Sequence, residues 1–461
     1  MMFKIALRSV FRNARRSLTT MLTIAIGAAA MLVFAAYALY DVYILQTTAV
    51  ERGGHLAVFA KGYFDFGSGD PAIWGIGNYA GIVKLIKTDP ILSSLTAVVT
   101  PVQYLGGIAE NPANGGSRTF FATGFVPADQ RRMARWNEYG IGADLENTNL
   151  ESNNPSRGVI GFGLARYLGL CRTLHLRDCP SPPRAMPEQD NGNVASLPHQ
   201  DFSALAEPTA ASSPTPRVDL MAATAGGAPN IVSMQIERVQ KQGAKEMDDG
   251  YVVMNLALAQ QLVYGRGAHK VTGIVLQLHR TEDIPQARAR LQTLIALHHL
   301  DLEVRDYREI NSYYDQSIGF FTSIFSFIAV LIGVVVLFTV SNTMSMSVME
   351  RIDEIGTTRA LGVRRGRIRR QFLLEGCLLG VLGASFGIVL AVLAGALINH
   401  AGMTWTPPGD AHPIPLKLYM LGAIDIVGAV WAVLTIVATI AALIPANRAA
   451  RMPIVDALRH V

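Results

Sequence analysis

The chain of 461 residues is half apolar and only 16% charged, with a mean hydropathy of +0.28. Soluble globular domains carry about a quarter charged residues, so this composition argues for a membrane protein. The formal net charge of +5 sits beside apolar runs rather than in an aromatic-interleaved groove, which argues against nucleic acid as a partner.

Lys4, Arg8, Arg12, Arg15 and Arg16 make residues 1–17 a basic N-terminal segment. An apolar run from Leu18 to Tyr40 follows, long enough for the roughly 20 helical residues that cross hydrocarbon. With its extension it forms a first span and stalk over 18–45. Ala36-Tyr37-Ala38 raises the alternative of a cleavable signal peptide, but the apolar stretch is too long and runs on past that triplet. A second stalk and span occupies 315–344, with Ile318 to Val340 as its apolar core. The segment 345–371 carries Arg351, Arg359, Arg364, Arg365, Arg367, Arg369 and Arg370. A third span covers 372–398 and a fourth 426–444, and the connection 399–425 holds a single basic residue, Lys417. Arg448, Arg451 and Arg459 lie in the C-terminal segment 445–461. The positive-inside rule then puts both termini and the Arg-rich segment in the cytoplasm and residues 46–314 outside. The expected fold is a membrane protein of four transmembrane α-helices, with a large α+β periplasmic domain between helices 1 and 2.

Within that domain, alternating apolar patterns predict strands near His55–Lys61, Ala97–Gly106, Thr119–Gly124, Ile231–Val239 and Val271–Leu278. Helices are predicted near Gly161–Leu170, Leu256–Tyr264 and Asp283–His298. The last of these, between Val271–Leu278 and Leu302–Arg305, reads as a β-α-β unit. The Pro-, Ser-, Ala- and Gly-rich stretch 180–229 is expected to be an irregular insertion. Cys171 and Cys179 lie close together in the outer domain, where a disulfide would close a short loop; two unrelated thiols are the alternative. Cys377, in an apolar run, reads as a packing residue.

The search for chemistry yields no active site. The dipeptide Gly-Lys is absent, so the chain has no P-loop. Gly75-Ile76-Gly77 imitates a dinucleotide fingerprint but lacks a clear preceding strand and reads as a glycine-rich loop. Adjacent His298 and His299 point to different helix faces, so no metal site is assigned. Glu375 at the edge of the third span is expected to stay hydrated or to pair with a nearby arginine such as Arg370. Gly376, Gly380, Gly383 and Gly387 form two G-x-x-x-G pairs. These suit close helix packing, either within one chain or between two.

The most specific segment is Met349-Glu350-Arg351-Ile352-Asp353-Glu354-Ile355-Gly356-Thr357-Thr358-Arg359-Ala360-Leu361-Gly362. Ile352, Ile355 and Leu361 give it a short apolar stripe among charges, the pattern of an amphipathic helix at a membrane surface. It resembles the cytoplasmic loop of the MacB/LolE/FtsX permease superfamily, matching at Glu350, Arg351, Glu354, Ile355, Gly356, Arg359, Ala360, Leu361 and Gly362. Phe372-Leu373-Leu374-Glu375-Gly376 and Ile444-Pro445-Ala446-Asn447-Arg448-Ala449-Ala450-Arg451-Met452-Pro453 are similar to that family's third-span entry and closing motif. Gly54-His55-Leu56 and Lys61-Gly62-Tyr63 resemble the start of its periplasmic core.

The resemblance implies a non-enzymatic permease subunit of an ABC transporter in the bacterial inner membrane. The matched residues would dock on a separate ATPase chain, which would hold ATP and magnesium; this chain would need no cofactor. The permease would pair with a second copy or a paralogue and transmit ATPase closure to the periplasmic domains (mechanotransmission), for export or lipoprotein release. A periplasmic adaptor or lipoprotein carrier would be a further partner. The alternative within the family is an FtsX-like regulator that drives a periplasmic enzyme and moves no substrate.

Overall fold

The computed structural model describes residues 8, 12, 14–67, 69–140, 150, 154–177, 179, 216–265, 269–406 and 413–452. The chain divides into two compact units, one of Met1–Leu45, Ser312–Trp405 and Ile414–Val461, the other of Gln46–Asn311 and Thr406–Pro413.

The first unit is helical. Helices α1 (Ala14–Gly53, of which this unit holds the part up to Leu45), α2 (Ser312–Met349), α3 (Ile352–Ala360), α4 (Arg365–Ala401), α5 (Ile424–Ala441) and α6 (Leu443–Arg451) follow in order. Among the described residues four helical stretches, within α1, α2, α4 and α5–α6, are long and apolar enough to cross a membrane. Helix is the form such segments take in lipid, because it pairs every backbone polar group internally. The chain is a multi-pass membrane protein.

Two boundaries differ from the sequence reading. Arg365 to Arg370 are the first turns of α4, not part of the preceding loop. The helix of the fourth span breaks after Ala441, and α6 starts separately at Leu443. Pro445 accounts for the break, since it has no N–H to give the Ala441 carbonyl and its ring crowds that group.

Small residues let these helices approach. A Cβ on Gly376 would lie 2.6 Å from the Ala442 Cβ, and one on Gly380 would lie 2.9 Å from the Thr435 Cα. One on Gly383 would meet the Ile24 Cβ at 2.8 Å, and one on Gly387 the Ala25 carbonyl oxygen and the Ala28 Cβ, each at 2.6 Å. The pairs left open in the sequence therefore pack within one chain, 376/380 on α5 and its C-terminal end and 383/387 on α1. In lipid this van der Waals contact, rather than exclusion of water, is what holds helices together. Around the contacts lie Ile24, Leu32, Val336, Val340, Leu379, Leu434 and Ala438. At the opposite end from the arginines, Gly402 closes α4 in the left-handed conformation. The Asn399 side chain then clamps the Leu418 backbone, donating to its carbonyl at 3.0 Å and accepting from its N–H at 2.8 Å.

The second unit is α+β. Its strands are β1 (Leu56–Ala60), β2 (Thr96–Asn111), β3 (Gly116–Phe125), β4 (Arg157–Gly161), β5 (Arg217–Ala223), β6 (Pro229–Gln240), β7 (Tyr251–Asn255), β8 (Gly273–Leu278) and β9 (Leu302–Asp306). The order β9-β1-β8-β2 is antiparallel throughout, with the helix Ile284–Leu297 linking β8 to β9. Because β1 lies between them, β8 and β9 form a split β-α-β. Strand β1 is buried on both faces: Leu56 and Val58 join Leu276 and Leu291 in one core, while Ala57 and Phe59 join Val102 and Val275 in another. The period-two alternation of a strand makes that division.

In the remainder the sequence placed strands near Thr119–Gly124 and Ile231–Val239 but not the closure they take part in. The far half of β2 pairs with both β3 and β5, and the pairings β3–β7, β7–β4, β4–β6 and β6–β5 complete a closed ring of six strands. Closure removes exposed strand edges. Gly107 sits where β5 crosses closest, since a Cβ there would lie 2.1 Å from the Met221 carbonyl oxygen. The reading of 180–229 as irregular is corrected at its end. Arg217–Ala223 is strand β5, with Val218, Leu220 and Ala222 buried at alternate positions; residues 180–215 lie outside the described residues. The sulfurs of Cys171 and Cys179 are bonded, with their Cα atoms 5.9 Å apart. His298 and His299 end the helix Ile284–Leu297, and no group that could hold a metal occurs among the described residues.

Candidate coupling site

The matched segment between α2 and α4 folds as α3 with a turn at each end. Asp353 and Glu354 occupy its first turn, where carboxylates favour the positive end of the helix dipole. At the other end the Gly362 N–H donates to the Arg359 carbonyl at 3.0 Å and the Val363 N–H to the Thr358 carbonyl at 3.3 Å. This double bond pattern is a Schellman cap, which needs a left-handed residue, and Gly362 has φ of 87°. Gly362 therefore stops the helix. Its place in the matched motif is structural.

Helical spacing sorts the rest. Ile352, Ile355, Gly356 and Arg359 fall at i, i+3, i+4 and i+7 and share a face. Ile355 is buried against Val348, Ile368, Phe372, Ala446 and Ala449, so the inward face of α3 packs on α2, α4 and α6. Arg359 Nη1 donates to the Met452 carbonyl oxygen. Glu350, just past α2, pairs with Arg16 at 2.7 Å, and Glu354 pairs with Arg12 at 3.0 Å.

Arg351, at the start of α3, places Nη1 3.1 Å from Glu375 Oε1, with both side chains at least 94% buried. Glu375 does pair with an arginine, as one alternative expected, but the partner is Arg351 and not Arg370. Arg370 lies five residues earlier on the same helix, about 140° around it, and is exposed. The partner comes from another element. An isolated buried charge costs several kcal/mol, so this pair fixes α3 on α4.

Five of the nine matched residues (Glu350, Arg351, Glu354, Ile355 and Arg359) thus face intrachain partners. The outward face consists of Asp353, Thr357, Ala360 and Leu361, all exposed. Leu361 is 85% exposed, the highest value for a large apolar side chain among the described residues. Asp353 and Thr357 were missed by the motif match; helical periodicity, counted from the inward Ile355, would have found them. Gly383, Ser385 and Gly387 have the G-x-S-x-G spacing of a nucleophile elbow. It lies in mid-helix rather than on a strand-to-helix elbow, and the Ser385 hydroxyl oxygen accepts from Trp431 Nε1 at 3.1 Å.

Residues 323–454, which contain α3 and its packing partners, match the family model of the FtsX-like permease C-terminal domain. The macrolide export ATP-binding/permease protein MacB of Shewanella sp. (strain W3-18-1) is 29% identical over 212 residues, 44% of this chain and 30% of the relative. The ABC transporter permease YtrF of Bacillus subtilis (strain 168) is 35% identical over 143 residues, 29% of this chain and 30% of the relative. Over residues 323–454 the chain is similar to FtsX-like permeases. It spans about a third of the length of the curated relatives it matches. The crystal structure of the periplasmic region of MacB from Actinobacillus actinomycetemcomitans covers 58% of this chain and 95% of its own, at 11% identity and a TM-score of 0.31.

Proposed function

We propose that this permease is the membrane subunit of an ABC transporter, driven by an ATPase on a separate chain that docks on the outward face of α3. The observation that carries the proposal is the division of α3. Its inward face is locked to α2, α4 and α6 by Ile355, the Arg351–Glu375 pair and Arg359, while Leu361 stands almost fully in solvent. A helix rigidly joined to the spans and carrying an exposed apolar anchor suits the transfer of a partner's motion into the membrane. Arg12, Arg16, Arg365 and Arg448 cluster at the same end of the helices, which supports a cytoplasmic position for α3 and both termini. The α+β unit then lies in the periplasm, where motion reaching it would serve export or lipoprotein release. In this reading a second permease copy completes the assembly.

The test is affinity purification of the full chain from native membranes, comparing wild type with Leu361→Glu. Leu361 makes no interior packing, so the variant keeps the fold and its thermal unfolding temperature. Recovery of a P-loop ATPase with wild type and its loss with the variant is the expected result. An ATPase that binds both equally overturns the assigned surface. No ATPase in either sample overturns the transporter reading.

A further inference from the structure

We infer that α6 carries a binding site for the phosphate headgroup of an anionic membrane lipid, formed by Arg448 and Arg451 with Asn447, Ile444 and Met452. These five residues line one cavity of about 460 Å³. The helix has two sharply different faces. Pro445, Ala446, Ala449 and Ala450 are buried, with Ala446 and Ala449 against Ile368 and Phe372. Ile444, Asn447, Arg448 and Arg451, at i, i+3, i+4 and i+7, form the other face.

That second face changes character along its length. Leu443 and Ile444, next to the end of the fourth span, are 37% and 59% exposed, and they sit where acyl chains end. Arg448 and Arg451 follow one and two turns later, roughly 6 and 10 Å further along the axis. Outside a 30 Å hydrocarbon core the headgroup layer is about 5–8 Å thick, so along α6 Arg448 falls within it and Arg451 just beyond, within reach of a long side chain turned back. Arg12, Arg16 and Arg351 all have carboxylate partners. Arg448 and Arg451 make no ion pair among the described residues, although both are exposed. Two guanidiniums that make no ion pair among the described residues, beside exposed aliphatic side chains, match a lipid phosphate with its acyl chain alongside. A protein partner would leave Ile444 facing lipid unused, whereas a lipid uses both ends of the face.

The inference does not depend on the ATPase reading, and its readout is separate. The full-length protein would be reconstituted in nanodiscs of phosphatidylcholine with or without phosphatidylglycerol, then released for native mass spectrometry of retained lipid. Wild type is expected to retain phosphatidylglycerol over phosphatidylcholine and to unfold at higher temperature when it is present. The double variant Arg448→Gln/Arg451→Gln should retain it roughly 30-fold less well, the loss of charge-assisted hydrogen bonds to the phosphate worth about 2 kcal/mol. Arg364→Gln/Arg365→Gln removes the same net charge elsewhere and should leave retention unchanged. Equal loss in both double variants would reduce the effect to general surface charge and overturn the site. Stabilisation of lipid-free detergent samples by inorganic phosphate alone, without lipid preference, would overturn the lipid assignment. Loss of a co-purified ATPase from Arg448→Gln/Arg451→Gln with unchanged lipid retention would assign the arginines to a protein interface instead.

Discussion

Removing one member of the Arg351–Glu375 pair should be far more damaging than removing both. In Glu375→Leu the Arg351 guanidinium stays buried at the junction of α3 and α4 with its carboxylate partner gone. Breaking a buried pair from one side costs about 3–5 kcal/mol, whereas replacing both partners with apolar residues is often neutral. In chains of 150–250 residues 1 kcal/mol corresponds to roughly 2–4 °C in Tm, and to less in a chain of 461. Glu375→Leu and Arg351→Met should each lower Tm by several degrees, and Arg351→Met/Glu375→Leu should recover most of the loss. The assay is thermal unfolding of the purified full chain in nanodiscs, followed by tryptophan fluorescence. Arg12→Ala, which breaks only the exposed pair with Glu354, is the comparison and should cost about 0–1 kcal/mol. Two near-silent single variants, or a double variant as unstable as the sum of the singles, would refute the claim that this pair holds α3 in place.

Gly387→Leu should destabilise by about 1–3 kcal/mol through overpacking against α1, while Gly428→Leu, with nothing within 4 Å of its new Cβ, should be tolerated; relative Tm and yield check both. His55 is fully buried, its Nδ1 accepts from the Leu278 N–H at 3.0 Å, and burial lowers its pKa to about 3. The folded state holds it neutral while the unfolded chain protonates it near the ordinary 6.5. Stability from this group is therefore full above pH 6.5 and falls by about 1.4 kcal/mol per pH unit below it, towards pH 3. His55→Gln should flatten Tm against pH between 7 and 4.5; a slope as steep as wild type would remove His55 as its source. Thiol labelling of the denatured, unreduced protein should tag Cys377 alone, and reduction should expose Cys171 and Cys179 as well. Label on all three before reduction would contradict the bond.

Much of this protein was legible because some constraints are local. Four apolar runs of spanning length dictate four helices, since lipid offers the backbone no other partner. Alternation in Leu56–Ala60 and Gly273–Leu278 dictates strands, and the short segment Ile352–Ala360 carries its own stop signal in Gly362. Strand Arg217–Ala223 escaped because the Pro- and Ser-rich stretch before it dominated the local composition.

What the sequence by itself determined was which segments are helix or strand, where the arginines lie, and that the motif around Glu354 and Gly362 is special. Only the tertiary structure decided which residues in that motif are free to meet a partner. Ring closure of β2 with β3 and β5, the choice of Arg351 over Arg370 for Glu375, and the turning inward of Arg359 each join positions far apart in the chain. Local pattern reports a residue's own face and periodicity. It cannot report what another element brings against that face, and burial, pairing and exposure are set there.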